Sequence, residues 1–211
     1  MVINNLKVKI CGITNLEDAL ASVNAGCDAL GFVFYKKSPR YISVEKAIQI
    51  IWHIPKGVKK VGVFVNDKEN NIRRIASTLD LDILQFHGDE SKEFCRKFGD
   101  YKVIKAFRIK KKPNLKILES YPVWGILFDT YKKETFGGTG KVFNWDLIRG
   151  IKLKDKKIFL SGGINIKNVK KAVEYVRPDW IDLSSSLEKR PGKKDIRRIK
   201  EFLDLVKKIK I

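Results

Sequence analysis

The stretch Lys60-Val61-Gly62-Val63-Phe64-Val65-Asn66, answered downstream by Ile83-Leu84-Gln85-Phe86-His87, decides the fold. A short apolar run rich in Val and Phe, a polar cap at Asn66 ahead of Asp67, a helical segment and a second apolar run together make one β–α–β unit of a parallel sheet. The same alternation recurs on both sides, with strand candidates at Leu6–Ile10, Ala29–Phe34, Lys60–Val65, Ile83–His87, Lys102–Phe107, Val123–Asp129, Lys157–Ser161 and Trp180–Ser184. Eight such units, repeating every ~20 to 25 residues, predict a closed (β/α)8 TIM barrel of eight parallel strands with eight helices. A doubly wound sheet is the structural alternative, but it normally has fewer strands and a topological switch point. Asn15 before Leu16-Glu17-Asp18-Ala19 and Ser43 before Glu45 read as further N-caps.

With 211 residues the chain is expected to form one domain over residues 1–211, which leaves almost no room for additions to such a barrel. Apolar residues make up 44% and charged residues 32%, a globular balance with no linker-like tract. The alternation of apolar and polar residues from Met1 to Lys9 is neither a signal peptide nor a membrane span, so the chain reads as soluble and cytoplasmic. Cys11, Cys27 and Cys95 are odd in number and widely spaced, which argues against a disulfide framework or thiolate zinc site and leaves at least one thiol free.

The formal net charge of +20 allows a nucleic-acid surface, an affinity for anionic substrates or a lysine-rich exterior. The lysines fall in short scattered runs, at Lys36-Lys37, Lys59-Lys60, Lys110 to Lys112, Lys152 to Lys157 and Lys207 to Lys210, so a solvated exterior is the favoured reading. A nucleic-acid footprint clusters on one face with interleaved aromatics.

Barrel chemistry sits at the C-terminal ends of the strands. There the sequence places Cys11-Gly12-Ile13-Thr14, the Lys36–Tyr41 loop, His87-Gly88, Asp129-Thr130, Ser161-Gly162-Gly163 and Ser184-Ser185-Ser186. The last two are read as strand-to-helix turns, one running into a helix from Asn165 and the other into the final helix. Backbone N–H groups exposed at such turns form a phosphate cup, so a phosphorylated substrate is expected at Gly162, Gly163, Ser184, Ser185 and Ser186. By strand alternation Cys11 shares its face with Lys9, whose charge favours the thiolate, while Asp129 supplies a carboxyl group at the same mouth. Two such neighbours titrate as one coupled acid–base system. Arg40, following Pro39, can offer its guanidinium fork to a carboxylate. Phe136-Gly137-Gly138-Thr139-Gly140-Lys141 is expected to cover the site; it lacks the spacing of a Walker motif. No dinucleotide fingerprint or metal-ligand set is found, so neither cofactor nor metal is expected.

Lys9-Ile10-Cys11-Gly12-Ile13-Thr14, Gly31-Phe32-Val33-Phe34 with Ser38-Pro39-Arg40-Tyr41, Gly62-Val63-Phe64-Val65-Asn66 and Leu84-Gln85-Phe86-His87-Gly88 occur in this order. They are followed by the Asp129 to Lys141 loop, Leu160-Ser161-Gly162-Gly163, Asp182-Leu183-Ser184-Ser185 and Pro191-Gly192-Lys193-Lys194-Asp195. Over almost its whole length the chain closely resembles the phosphoribosylanthranilate isomerase family. The resemblance implies an Amadori rearrangement of an aminoaldose phosphate to an aminoketose phosphate in tryptophan biosynthesis. It further implies Asp129 as general acid, Cys11 as general base and Arg40 as the binder of the anthranilate carboxylate, with Asp182, Gln85 and His87 completing the wall. One departure is Ser186, where the family usually has Gly after two serines, which questions any left-handed backbone requirement there. The related aminoaldose isomerase of histidine biosynthesis uses an aspartate where Cys11 stands, and a metal-dependent epimerase would want more strand-end histidines than His87, since His53 falls on a predicted helix. A basic nucleic-acid-binding module is the rival of a different class. The expected partner is a small phosphorylated substrate, with no nucleic acid and no membrane, the chain itself being a monomer or homodimer.

Overall fold

Apolar runs of four to eight residues, buried on both faces, satisfy their backbone by pairing edge to edge, and closure into a barrel leaves no edge unpaired. The computed structural model describes residues 6–131 and 143–209. In chain order β1 (Lys7–Cys11), β2 (Ala29–Val33), β3 (Lys59–Phe64), β4 (Ile83–Phe86), β5 (Lys102–Ile109), β6 (Gly125–Thr130), β7 (Lys157–Leu160) and β8 (Trp180–Leu183) form a closed parallel barrel. β8 pairs back onto β1 with Lys9 opposite Asp182, and β1 pairs with β2 with Cys11 opposite Gly31. All eight strand candidates therefore lie in the barrel, their limits differing by one or two residues.

The helices are α1 (Leu16–Ala25), α2 (Val44–Ile51), α3 (Glu69–Thr78), α4 (Lys92–Arg96), α5 (Leu115–Ser120), α6 (Val169–Val176) and α7 (Ile196–Lys208). Seven rather than eight α-helices thus lie among the described residues. After β6 these contain a 3-10 turn, Trp145–Leu147, capped by Asn144 and followed by the left-handed Gly150. Asn15 and Ser43 cap α1 and α2 as expected, accepting from the N–H groups of Asp18 and Lys46. Asn66 does not cap α3, which starts later. It takes a left-handed backbone (φ 50°), and its Oδ1 accepts from the N–H of Asp89, tying the loop after β3 to the loop after β4. His53 lies just beyond α2, not on it.

Two features had no counterpart in the sequence reading. A hairpin of β9 (Glu188–Arg190) and β10 (Lys193–Lys194) turns at Gly192 between β8 and α7. At the opposite rim Asp28, Asp82 and Asp179, each just ahead of a strand, accept from the N–H of the second residue of the neighbouring strand, Val8, Lys60 and Ile158, all at 2.8 Å. These carboxylates fasten the closed end, where barrels hold stability rather than chemistry.

Inside the barrel the layers change character from bottom to top. Ala29, Val61, Ile83, Ile104, Leu127, Phe159 and Trp180 fill the lower part, with Phe159 stacked on Trp180 at 5.1 Å. Lys9, Gln85 and Asp182 are buried above them, and Cys11, His87 and Asp129 form part of the mouth. An apolar floor thus lies beneath the buried charges and the polar groups of the mouth.

Candidate active site

A cavity of about 520 Å³ opens at the mouth, lined by Cys11, Arg40, Gln85, His87, Asp129, Asp182 and Ser184 together with an apolar wall of Val33, Tyr35, Val63 and Val65. A second recess of about 280 Å³ is lined by Gly162, Gly163, Ser185 and Ser186 and shares Asp129, Ser161, Asp182 and Ser184 with the first. Every candidate site residue named from the sequence therefore lines one or other of two adjoining spaces. The apolar wall was missed, although Val33 lies two positions beyond Gly31 on β2, and the same period-two reading that paired Cys11 with Lys9 points to it.

Cys11 ends β1 facing inward. A methyl group added at Gly31 would lie 2.8 Å from Cys11 Sγ and 3.0 Å from Lys9 Nζ, so only glycine leaves room for thiol and ammonium together. Lys9, fully buried, donates to Asp182 Oδ1 at 2.7 Å. Burial lowers the Lys9 pKa, but the charges of Asp182 and Cys11 outweigh it, and the ammonium is held above its ordinary range. For Cys11 the balance runs against the sequence expectation. Burial pushes the thiol up, Asp182 adds to this, and the opposing pull of Lys9 does not bring it back to the ordinary value. Charge complementarity is present, but desolvation at the end of a buried strand is the larger effect.

Asp129 is held at both oxygens. Its Oδ1 accepts from the N–H of Thr130 at 2.7 Å, and its Oδ2 lies 3.1 Å from His87 Nε2. Gln85 Nε2 lies 2.9 Å from His87 Nδ1, so with the amide donating there the imidazole carries its proton on Nε2 and donates it to Asp129. Gln85, His87 and Asp129 thus form a chain from β4 to β6. Gln85 Oε1 and Ser184 Oγ are buried with no hydrogen-bond partner among the described residues.

The turns after β7 and β8 differ from the expected strand-to-helix form. α6 begins at Val169 rather than Asn165, because the side chains of Asn165 and Asn168 both donate to Gly163 O at 3.0 Å and hold a turn open before the helix starts. Ser184-Ser185-Ser186 leads into a 3-10 turn, Ser185–Leu187, and the hairpin comes before α7. Gly162 and Gly163 take φ values of 80° and 74°. A methyl group at Gly162 would lie 2.7 Å from Thr130 N and 3.1 Å from Asp129 Oδ1, so the turn packs directly against the carboxyl group. Ser186 is not left-handed, which makes serine compatible with its backbone. The N–H groups of Gly162, Gly163, Ser185 and Ser186 make no hydrogen bond to a described residue. The segment from Phe136 to Lys141, expected as a cover, lies outside the described residues.

Arg40 reaches the cavity, yet its Nε and Nη2 donate to Glu188 Oε1 and Oε2 at 2.8 and 2.7 Å. Glu188 in turn accepts from Lys194 Nζ at 3.0 Å, and Lys194, fully buried, also donates to the carbonyl oxygens of Cys11 and Ser184. Neither Glu188 nor Lys194 was singled out as a site residue from the sequence. Glu188 sits in a charged stretch with no local signal and Lys194 in a segment noted only for its family resemblance, and only the hairpin folds them under the mouth.

Fold and site define a TIM-barrel enzyme with a thiol and a carboxyl group lining one solvent-reachable cavity, the equipment of acid–base catalysis. Residues 8–205 match the family model of N-(5'phosphoribosyl)anthranilate (PRA) isomerase. The N-(5'-phosphoribosyl)anthranilate isomerase of Thermotoga neapolitana is 46% identical over 203 residues, covering 96% of this chain and 98% of its own, and that of Geotalea uraniireducens is 47% identical over 201 residues, covering 95% and 98%. The crystal structure of the Thermotoga maritima phosphoribosyl anthranilate isomerase superposes with a TM-score of 0.88 at 45% identity, covering 96% and 98%. A phosphoribosyl anthranilate isomerase crystallised with reduced 1-(o-carboxyphenylamino)-1-deoxyribulose 5-phosphate has a TM-score of 0.84 at 44% identity over the same shares. The chain belongs to the N-(5'-phosphoribosyl)anthranilate isomerase family of tryptophan biosynthesis.

Proposed function

We propose that this chain converts N-(5-phosphoribosyl)anthranilate to 1-(2-carboxyphenylamino)-1-deoxyribulose 5-phosphate with its own side chains, without cofactor or metal, Asp129 acting as acid and Cys11 as base. The observation that carries this reading is that Cys11 and Asp129 line one cavity, with Arg40 and an apolar wall on the same cavity and, in the adjoining recess, four N–H groups that make no hydrogen bond to a described residue. The anthranilate ring lies against Val33, Val63 and Tyr35, its carboxylate meets Arg40, and the phosphate takes the N–H groups of Gly162, Gly163, Ser185 and Ser186. Ser184, at the seam of the two spaces, supports the phosphate side, and Gln85, His87 and Asp182 form the wall between.

Asp129 gives its proton to the ribose ring oxygen, the C1–O bond breaks and a protonated Schiff base forms. The Cys11 thiolate then removes the C2 proton, leaving a neutral enolamine, and transfer of the C2 hydroxyl proton to C1 yields the ketone. The enzyme is left with a neutral thiol and an ionised carboxylate, so a proton passes from Cys11 to Asp129 through solvent before the next turnover. The iminium charge next to Lys9 favours the thiolate at the moment it is needed.

The test is an isomerase assay on the purified chain with substrate generated in situ and a chelator present; absence of turnover, or activity that returns only with a divalent ion, refutes the reading. Replacing Arg40 by Ala is expected to weaken substrate binding by about 1.5–3 kcal/mol, chiefly in KM. Glu188 keeps Lys194 and the Gly192 N–H as partners in that variant, so an unchanged kcat/KM removes Arg40 from the substrate site. Inorganic phosphate is expected to compete with substrate and to occupy the recess in a crystal, its four N–H groups within hydrogen-bond distance; an anion-soaked crystal with none there removes the cup.

The +20 charge fits the same reading, since Lys36 and Lys37 in the loop after β2 and Arg190 in the hairpin after β8 draw in a polyanionic substrate rather than a nucleic acid. Among the described residues no helix is long and apolar enough to cross a membrane. The three cysteines are unpaired thiols, which supports a reducing cytoplasm. One related isomerase, from Thermotoga maritima, is described as dimeric. This chain is read as a monomer or homodimer.

A further inference from the structure

Arg40 sits on the loop after β2 and would be free to swing with the rotamer freedom of any loop arginine. Two contacts prevent it. Its stem lies across Gly12, with Arg40 Cδ 2.6 Å from where a Gly12 side chain would begin, and its fork is clasped by both oxygens of Glu188. Glu188 is itself fastened from below, by Lys194 Nζ at 3.0 Å and the N–H of Gly192, while its backbone carbonyl accepts from Arg198 Nη1 at 2.7 Å. Glu188 is buried and Lys194 fully so, which makes this a built support rather than a surface ion pair. The clasp occupies Nε and Nη2 and leaves Nη1, which makes no hydrogen bond to a described residue. Burial pushes the Glu188 carboxyl up, but Arg40 and Lys194 outweigh this and hold it below the usual carboxylate range, so it stays charged as the clasp requires.

We infer that Glu188 is a positioning residue for substrate specificity: by gripping one edge of Arg40 it presents the remaining N–H groups to the anthranilate carboxylate. The inference rests on the proposed placement of that carboxylate at Arg40. A preoriented guanidinium loses little freedom on binding, whereas an unclasped one must be ordered by the substrate. Lys194 also donates to the backbone carbonyls of Cys11 and Ser184, contacts that do not pass through Glu188 and that hold its ammonium in place when Glu188 is changed.

The experiment compares Glu188→Gln, Arg40→Ala and the double variant on N-(5-phosphoribosyl)anthranilate and on the N-(5-phosphoribosyl)aniline analogue, which lacks the carboxylate. Glu188→Gln is expected to raise KM for the anthranilate by about tenfold with kcat within about twofold, and to leave kcat/KM for the aniline within about twofold. In the Arg40→Ala background the same substitution should change KM by less than about twofold, because the two groups act as one unit. Glu188→Asp, which keeps the charge but is one methylene too short to hold both Nε and Nη2, should reproduce the split if Glu188→Gln does not fold. Equal losses on both substrates, a tenfold effect that persists without Arg40, or a KM that falls because Glu188 competes with the substrate carboxylate would each overturn the assignment. An Arg40→Ala protein with unchanged KM overturns instead the carboxylate placement beneath it.

Discussion

Cys11→Ala is expected to lower kcat by at least about 100-fold while KM stays within about threefold of wild type, the size expected if the proposed general base is lost. The residue is buried on an apolar corner with Val33 and Val63, and its sulfur is the only part removed. Trimming it to a methyl group opens little space, so the thermal midpoint should shift by only a few degrees. The pH profile provides a second reading of the same group. Since burial holds the thiol above its ordinary range, the working thiolate gains population as pH rises, and it must coexist with a protonated Asp129. Accordingly kcat/KM is expected to rise with pH on a limb that belongs to the thiol, and Cys11→Ala should remove that limb. A folded Cys11→Ala enzyme with near wild-type kcat ends the assignment of base.

Asp129→Asn is expected to cost a similar factor, about 100-fold or more in kcat, because the amide keeps the shape but has no proton to give to the ring oxygen. Folding should survive. Asn can still accept from the Thr130 N–H, and its amide can donate to His87 Nε2 if the imidazole proton moves to Nδ1. Gln85 can then turn its Oε1, which has no partner among the described residues, toward that proton. The chain reverses direction without losing a bond. Pairing Asp129→Asn with Cys11→Ala should add far less than the product of the single effects, since the two groups serve one reaction coordinate. An Asp129→Asn enzyme of full strength removes Asp129 as the acid; multiplicative losses separate the two groups into independent steps.

The barrel was legible because period-two and period-3.6 patterns are local, and eight repetitions of one unit leave few closed solutions. The strand ends were legible for the same reason, which is why Cys11, His87, Asp129 and the two small-residue turns could be picked out in advance. Errors fell where side chains compete with the backbone. Asn66 looked like a cap but bridges two loops, and Asn165 looked like a helix start but holds the glycine turn open.

The sequence by itself determined the fold class, the strands, the end of the barrel that carries chemistry and most of the residues at the mouth, because each depends on spacing along one strand or one turn. Only the tertiary structure decided the balance of charge and the support. That Lys9 is spoken for by Asp182, that desolvation outweighs Lys9 at Cys11, and that Glu188 grips Arg40 across 148 positions all follow from groups far apart in the chain. Burial and pairing are properties of the closed barrel, where dielectric and distance are set by all eight strands at once, and no stretch of sequence contains them.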